Sequence, residues 1–341
     1  MTTPSTISTA STSVPDYLEF HRLARLAQPW RWWRPIVVLA VALVLYAVLL
    51  VVPMLSLVVV EDAHPAIAPI ADQVLGADSL NDPAGLAVLL MLIAAMLPAG
   101  LLAVRLAGRR RAGTLLSVTG RLRWRLMGRA AAITAVVLGV FTGVLVLMEP
   151  STEAIPAQDL GWLVTKVILV LLIVPWQAAA EEVVFRGLLV QTVGSWLRHP
   201  AWAILLPLPL FVVGHDYDVY GMVGVAVFAF VAGYLTWRTG GLEAAIGMHV
   251  VNNVGAFMLA LLTGADLDAT AVDPLAALLS IAYTLVTAAL ILGYNRWRVP
   301  TGCSSRSALG LPNGNSSSRS GLRHHKTMPT STATCTIGEI P

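Results

Sequence analysis

The sequence predicts an all-α membrane protein in which about eight transmembrane helices form a bundle around a polar cavity. Of its 341 residues, 57% are hydrophobic and only 12% are charged, whereas soluble domains carry about 25% charged residues. Apolar runs of membrane-spanning length recur along the chain, and the loops between them alternate in the sign of their charge. These observations exclude an ordinary soluble domain and predict one multi-pass membrane domain.

Eight apolar runs are candidate transmembrane helices, because a helix needs about 20 predominantly apolar residues to cross a bilayer. The fifth run is the shortest and continues directly into the polar residues 215–218. Pro207 and Pro209 in this run should distort its helix and open room for a polar cavity. The runs span residues 36–60, 84–104, 130–148, 160–180, 201–214, 219–237, 242–262 and 276–293.

The loops predict the orientation of the bundle. Four arginines precede the first run, eight lie between positions 105 and 129, and further arginines follow the fourth, sixth and eighth runs. The other loops, within 61–82, 149–159 and 266–273, carry aspartate and glutamate. The positive-inside rule therefore places both termini in the cytoplasm of a multi-pass cell-membrane protein. The arginine-rich loop 105–129 is interpreted as a topology anchor, with an interfacial helix that contacts anionic lipid as the alternative.

Composition divides the chain into three parts. Residues 1–35 form a polar cytoplasmic tail, and the first apolar run is predicted to be a retained anchor rather than a cleaved signal. Residues 36–298 form the membrane domain, with a motif core at about 160–262. Residues 299–341 are rich in Ser, Gly, Thr and Arg and are predicted to be disordered. Both cysteines, Cys303 and Cys335, lie in this tail, so no cysteine metal cluster is expected.

Ionisable residues inside the predicted spans are few, and such residues usually mark a functional site because they are costly in a membrane. Lys166 is expected to extend its amine to the membrane surface, and Glu243 is expected to lie at the interface. The remaining ionisable residues fall at three places along the chain. They are Glu181, Glu182, Arg186, His215 and His249.

Helical spacing predicts which of these side chains share a face. Glu182 and Arg186 are four residues apart and are expected to pair, which turns Glu181 about 100° away from them. His249 and Asn253 also share a face, with the same spacing.

Phe211 precedes His215 by one turn and is expected to pack beside it. Counting back from the turn at His199 and Pro200 places Glu181 roughly 25 Å and His215 roughly 22 Å along antiparallel helices. The two side chains are therefore expected to lie at the same depth.

These residue types suit hydrolysis. A buried carboxylate such as Glu181 can act as a general base, and His215 can help to hold the attacking water. His249 and Asn253 can donate hydrogen bonds to a developing oxyanion. Alternatively, Glu181, His215 and His249 are competent ligands for a divalent metal such as zinc. Taken singly, each residue also has a structural explanation as an ion pair, a helix cap or an interhelical hydrogen bond.

These three groups of polar residues, in this order, resemble the motifs of the CPBP intramembrane protease family, which includes the type II CAAX prenyl endopeptidases. The family pattern is Glu-Glu-x-x-x-Arg, then Phe-x-x-x-His, then His-x-x-x-Asn. In this chain the pattern falls at positions 181–186, 211–215 and 249–253. The resemblance implies an eight-helix bundle with a membrane-embedded site, in which Glu181 is the base and His215 its partner on the water. It further implies that Glu182, Arg186 and Phe211 support the site, while His249 and Asn253 stabilise the oxyanion or complete a ligand set.

Two features depart from the family pattern. Asp216 and Asp218 follow His215 and add negative charge, and Glu243 stands where an aromatic residue is common. The sequence nevertheless predicts an intramembrane endopeptidase that acts on membrane-associated or lipidated peptides and proteins, with membrane lipids as surroundings and no nucleic-acid partner. The alternatives are a proton-coupled transporter that uses the same groups as a relay, and a non-catalytic immunity or scaffold protein.

Overall fold

A computed structural model describes residues 17–27, 29–148, 159–295 and 302–304. Within these residues the predicted all-α membrane fold is confirmed. Seven helices are long and apolar enough to cross a membrane, and the chain is therefore a multi-pass membrane protein. They are Arg34–Ala63, Pro83–Leu106, Trp124–Leu145, Leu160–Trp196, Val219–Thr239, Glu243–Thr263 and Pro274–Tyr294.

The spans are assembled from regular and interrupted helices. In chain order the elements are β1 (Tyr17–Glu19), a 3₁₀ helix (Phe20–Leu26), α1 (Arg34–Ala63), a 3₁₀ turn (Pro65–Ile67), α2 (Ala68–Leu75), α3 (Pro83–Ala94), α4 (Met96–Leu106), α5 (Gly113–Leu116), α6 (Trp124–Met148), α7 (Leu160–Glu181), a π-helical segment (Glu182–Leu189), α8 (Val190–Trp196), α9 (Pro200–Leu205), α10 (Leu208–Val213), α11 (Val219–Thr239), α12 (Glu243–Thr263), α13 (Pro274–Asn295) and β2 (Gly302–Ser304).

The fifth predicted span is not a continuous transmembrane helix. It consists of the short helices α9 and α10, which together cover Pro200–Val213. Fourteen residues at about 1.5 Å each extend only about 21 Å, less than the roughly 30 Å of a hydrocarbon core. The break falls at Pro207, which has no amide hydrogen to continue the helical ladder. The described part of the chain thus has seven full-length spans and one short helical pair, where the sequence predicted about eight spans.

Helix α12 lies at the centre of the bundle, packed against α6, α7 and α11. Its close approach to α6 depends on Gly247, where an added Cβ would lie 2.5 Å from the carbonyl oxygen of Met127. The tight turn between α11 and α12 depends on Gly240, whose φ of 67° lies in the left-handed region that favours glycine. These two glycines allow α12, which carries His249 and Asn253, to lie in the core of the molecule.

The N-terminal segment is ordered where it meets the bundle. The 3₁₀ helix Phe20–Leu26 buries Phe20, Leu23 and Leu26 and packs against α8. Nε2 of His21 lies 2.9 Å from the carbonyl oxygen of Arg198. Burial lowers the pKa of His21.

A short antiparallel ladder joins the two terminal regions, with Tyr17 opposite Ser304 and Leu18 opposite Cys303. Strand β2 lies within the predicted C-terminal tail, and residues 302–304 gain backbone partners from β1. The disorder of the tail stays a prediction. The rest of the tail, including Cys335, lies outside the described residues.

Candidate functional site

The Glu-Glu pair lies where the fourth span changes its winding. Helix α7 ends at Glu181, and the π-helical segment begins at Glu182 and continues to Leu189. A π-helical turn is wider than an α-helical turn and is rare in proteins. Those that occur are often found at functional sites. Both carboxylates face the interior, since Glu181 is 8% exposed and Glu182 is fully buried.

Glu182 is the anchor of the site. Its Oε1 accepts a hydrogen bond from Nη1 of Arg186 at 3.0 Å, so the ion pair that helical spacing predicts is present. The same oxygen lies 2.7 Å from Nδ1 of His249 on α12. Because a carboxylate only accepts, Nδ1 of His249 carries the hydrogen. One carboxylate therefore joins the first and third motifs across two helices.

Glu181 is held by a second set of contacts that does not include Arg186. Its Oε1 accepts a hydrogen bond of 2.6 Å from Nε2 of Gln177, one turn earlier on α7. Its Oε2 lies 3.5 Å from Nε2 of His249 and is buried without a hydrogen-bond partner among the described residues. The carboxylate is thus oriented through one oxygen while the other faces the ring of His249.

Gln177 and Asn253 close a ring of polar side chains around Glu181. Nδ2 of Asn253 lies 3.2 Å from Oε1 of Gln177 and 3.1 Å from Nε2 of His249. Asn252 supports this ring by donating to Oδ1 of Asn253 at 3.1 Å. Gln177 was missed in the sequence analysis, although its spacing of four residues before Glu181 in an apolar run is the signal that could have found it.

Phe211 packs at the meeting point of the three motifs. The guanidinium of Arg186 lies 4.0 Å above its ring, within the range of a cation–π contact. The ring centroids of His215 and His249 lie 4.7 Å and 6.4 Å from that of Phe211, and Phe185 meets it edge-on at 5.0 Å. The contact between Phe211 and His215 that the spacing predicts is therefore present.

His215 contacts Phe211 rather than the carboxylate of Glu181. Its Nδ1 lies 2.8 Å from the carbonyl oxygen of Phe211, an acceptor, so Nδ1 carries the hydrogen. In the neutral ring Nε2 is then an acceptor that a water can donate to. Within the described chain, no hydrogen bond joins His215 to Glu181 directly, so their predicted partnership on a water stays a prediction.

The additional acidic residues have distinct positions. Asp218 caps α11 by accepting from the amides of Tyr220 and Gly221, and it also accepts from Val272. The Gly221 and Val272 amides hold the pKa of Asp218 below its usual range. Asp216 is exposed.

Glu243 is not interfacial as predicted. It is fully buried and forms a bidentate contact with Arg123, with distances of 2.8 Å from Nε to Oε1 and 2.7 Å from Nη2 to Oε2. The pair secures the turn between α11 and α12, because Nη2 of Arg123 also donates to the carbonyl oxygen of Thr239. Glu243 therefore has a structural partner at this end of the bundle.

The predicted metal ligands do not form a ligand set in this arrangement. No group of three or more His, Cys, Asp or Glu side chains in the described chain is placed to hold a metal ion. Both ring nitrogens of His249 have protein neighbours at hydrogen-bond distance, Glu182 and Asn253. Catalytic zinc usually takes three protein ligands, so the residues as placed do not fit that site. The zinc alternative stays a prediction, and no chemical step below is routed through a metal.

The site thus brings buried carboxylates, histidines and an asparagine together inside a helical membrane bundle. Residues 161–255 match the family model described as Type II CAAX prenyl endopeptidase Rce1-like. The resemblance predicted from the motifs is thus confirmed for this segment, which contains all three. That family model describes type II CAAX prenyl endopeptidases.

A relative with a similar sequence is the uncharacterized protein YyaK of Bacillus subtilis strain 168. It is 26% identical over 165 residues, which cover 46% of this chain. The chain spans about half of that relative, because the match covers 55% of its length. No solved structure matches the chain.

Proposed function

We propose that the protein is an intramembrane endopeptidase that hydrolyses peptide bonds of membrane-associated or lipidated substrates with a water activated by Glu181. The observation that carries this proposal is the difference in hydrogen bonding between the two carboxylate oxygens of Glu181. Oε1 is fixed by Gln177, and Oε2 is buried, unbonded among the described residues and directed toward His249. A base needs this combination of fixed orientation and a lone pair open to the proton it removes.

Glu181 takes a proton from the water as the oxygen of that water attacks the scissile carbonyl carbon. His215 accepts the second hydrogen of the water through Nε2, since its Nδ1 is committed to Phe211. The tetrahedral intermediate then collapses, the C–N bond breaks, and Glu181 returns the proton to the leaving amine. Glu181 ends the cycle ionised.

Asn253 and His249 face the same space as Oε2 of Glu181 and are proposed to stabilise the oxyanion. The amide of Asn253 supplies a neutral donor when its contact with Nε2 of His249 is exchanged for the oxyanion. His249 supplies a second donor through Nε2 when both of its ring nitrogens carry hydrogen, with Nδ1 donating to Glu182.

Glu182 and Arg186 are proposed to support the site without touching the substrate. A buried charge without a partner costs several kcal/mol, roughly 3–5 when one member of a buried pair is removed. The pair is almost fully excluded from solvent, with exposures of 0% and 3%. Its function is then to fix Nδ1 of His249 and to support Phe211 through the guanidinium.

The substrate class follows from the location of the site. The site residues lie within a helical membrane bundle, which favours substrates held at a membrane by a lipid chain or an apolar segment. We propose that the protein lies in the cell membrane with both termini in the cytoplasm, as the arginine-rich loops indicate, so the short pair α9–α10 and the residues that follow it make the eighth crossing.

The test is cleavage by purified protein in nanodiscs of a quenched peptide carrying a lipid anchor, in water enriched in ¹⁸O. Hydrolysis predicts that one ¹⁸O enters the new carboxylate of the product for each bond broken. A matched peptide without the lipid measures the contribution of membrane attachment. Active, folded protein that moves the peptide or protons across the bilayer without cutting any tested peptide would instead indicate the transporter alternative.

A further inference from the structure

A cavity outside the proposed active site opens at the arginine-rich end of the bundle. Its volume is about 550 Å³. None of the three motifs contributes to its walls. We call it the arginine pocket, and it is lined by Leu26, Arg105, Leu106, Arg109, Arg110, Arg111 and Thr114.

Within the described part of the chain, no carboxylate neutralises the positive charge of the arginine pocket. Among the ion pairs of the described residues, none joins a pocket arginine to a carboxylate. Arg110 donates from Nη1 to the hydroxyl of Thr114 at 2.7 Å, which is a neutral partner. Burial lowers the pKa of Arg110 to about 9. The molecule thus keeps several cations together around an open volume, an arrangement that an anion would stabilise.

The backbone concentrates these charges. Arg109 has a φ of 50°, in the left-handed region that non-glycine residues rarely adopt. Three consecutive arginines line the cavity from this bend, and Arg105 joins them from the end of α4. A strained residue of this kind persists only where its surroundings hold it, and such residues cluster at ligand sites.

Apolar side chains border the same cavity. Leu106 lines it and is 65% exposed, on a helix that presents Leu102 outward as well. An arginine cluster with an apolar margin at the end of a membrane helix suits a ligand with a charged head and a hydrocarbon tail.

We propose that the arginine pocket binds a phosphate group, carried by the headgroup of an anionic phospholipid or by a free phosphate-bearing solute. Guanidinium groups bind phosphate oxygens through paired, charge-assisted hydrogen bonds, and several arginines around one cavity provide more than one such pair. This site is independent of the proposed peptidase activity.

The pocket is connected mechanically to the helix that carries the Glu-Glu pair. The carbonyl oxygen of Thr114 accepts a hydrogen bond of 2.9 Å from the buried Gln191. Leu115 packs directly against Gly187. A Cβ added to Gly187 would lie 3.2 Å from the Leu115 side chain. A bound phosphate that orders Arg110 and Thr114 should therefore also raise the thermal stability of the whole protein.

The test measures saturable binding of a fluorescent short-chain phosphatidylglycerol to the full chain in neutral detergent. The pocket variant is Arg109→Gln/Arg111→Gln, and the control is Arg121→Gln/Arg125→Gln, which removes the same charge from exposed positions outside the pocket. We expect binding to weaken about fivefold for each pocket arginine removed and less than about twofold in the control. Single Arg105→Gln is a second variant, and thermal unfolding without lipid checks that each protein is folded.

Competition distinguishes the sources of the phosphate. Displacement by inorganic phosphate or diphosphate at equal concentration supports a soluble ligand, whereas displacement by unlabelled phosphatidylglycerol alone supports the lipid. Both outcomes uphold the phosphate site if only the pocket variants weaken binding. Equal loss in pocket and control variants, or no saturable binding to the folded protein, overturns the proposal.

Discussion

Gln177 and Glu181 lie one helical turn apart, and the Gln177 amide donates a 2.6 Å hydrogen bond to one carboxylate oxygen of Glu181. The other amide atom of Gln177 is contacted by Asn253 from α12. A single amide therefore aligns the proposed base on one helix with the proposed oxyanion donor on another. This relationship leads to the first prediction.

Replacing Gln177 by Met should lower kcat by about tenfold or more, because a hydrogen bond to a charged group contributes about 1.5–3 kcal/mol. The residue is placed to orient Glu181 and not to hold substrate, so KM should change little. The measurement is steady-state cleavage of the lipid-anchored peptide. Thr165→Val, at an exposed hydroxyl on the same helix, is the control and should behave as wild type. A change confined to KM would contradict the assigned role.

Replacing Glu182 by Gln should destabilise the protein by roughly 3 kcal/mol or more, because it leaves Arg186 buried without its charge partner. The measurement is thermal or denaturant unfolding in detergent. The double variant Glu182→Gln/Arg186→Met should recover much of that stability while remaining inactive, since Nδ1 of His249 loses its carboxylate. Equal destabilisation by the single and double variants would contradict the ion-pair assignment.

Replacing Phe211 by Leu should reduce both stability and activity. The change removes the ring that lies against Arg186 and His215, and a desolvated cation–π contact contributes about 2 kcal/mol. Phe230→Leu is the matched control, since Phe230 is 44% exposed and stacks on Tyr234 away from the site. Cleavage rate and unfolding midpoint are measured together, and equal effects of the two substitutions would refute a specific role for Phe211.

Asp218 should make stability depend on acid pH. Its pKa is lowered in the folded protein by hydrogen bonds from backbone amides, so its stabilisation is fully present above the unfolded value of about 3.9 and is lost as pH falls through the folded pKa. The difference in Tm between wild type and Asp218→Asn should therefore be larger at pH 7 than at pH 3. Asp216→Asn, at an exposed neighbour, is the control, and a difference in Tm that stays constant with pH would contradict the assignment.

Local spacing predicted the parts of the site that lie on one helix. The contacts of Glu182 with Arg186 and of Asn253 with His249 both follow from a separation of four residues, and both are present. The bond between Glu182 and His249 joins positions 67 residues apart, so no local pattern contains it. It depends on how α12 packs against α7.

The same distinction applies to the fold. Hydropathy located the long spans because apolar composition is a local property. Hydropathy did not predict the π-helical segment after Glu181, because a change from α-helical to π-helical hydrogen bonding is not visible in apolar composition. It also misplaced Glu243, whose partner Arg123 is 120 residues away and neutralises a charge that would otherwise avoid the interior.

The most direct test of the central claim is the single-turnover cleavage rate of Glu181→Gln compared with wild type in the same nanodiscs. The substitution keeps the shape of the side chain and removes the base. We expect the rate to fall by about 10²–10⁴-fold, the range for loss of general-base catalysis, while the unfolding midpoint stays close to that of wild type. A folded Glu181→Gln protein that cleaves the peptide at the wild-type rate would contradict the role of Glu181 and the proposed mechanism.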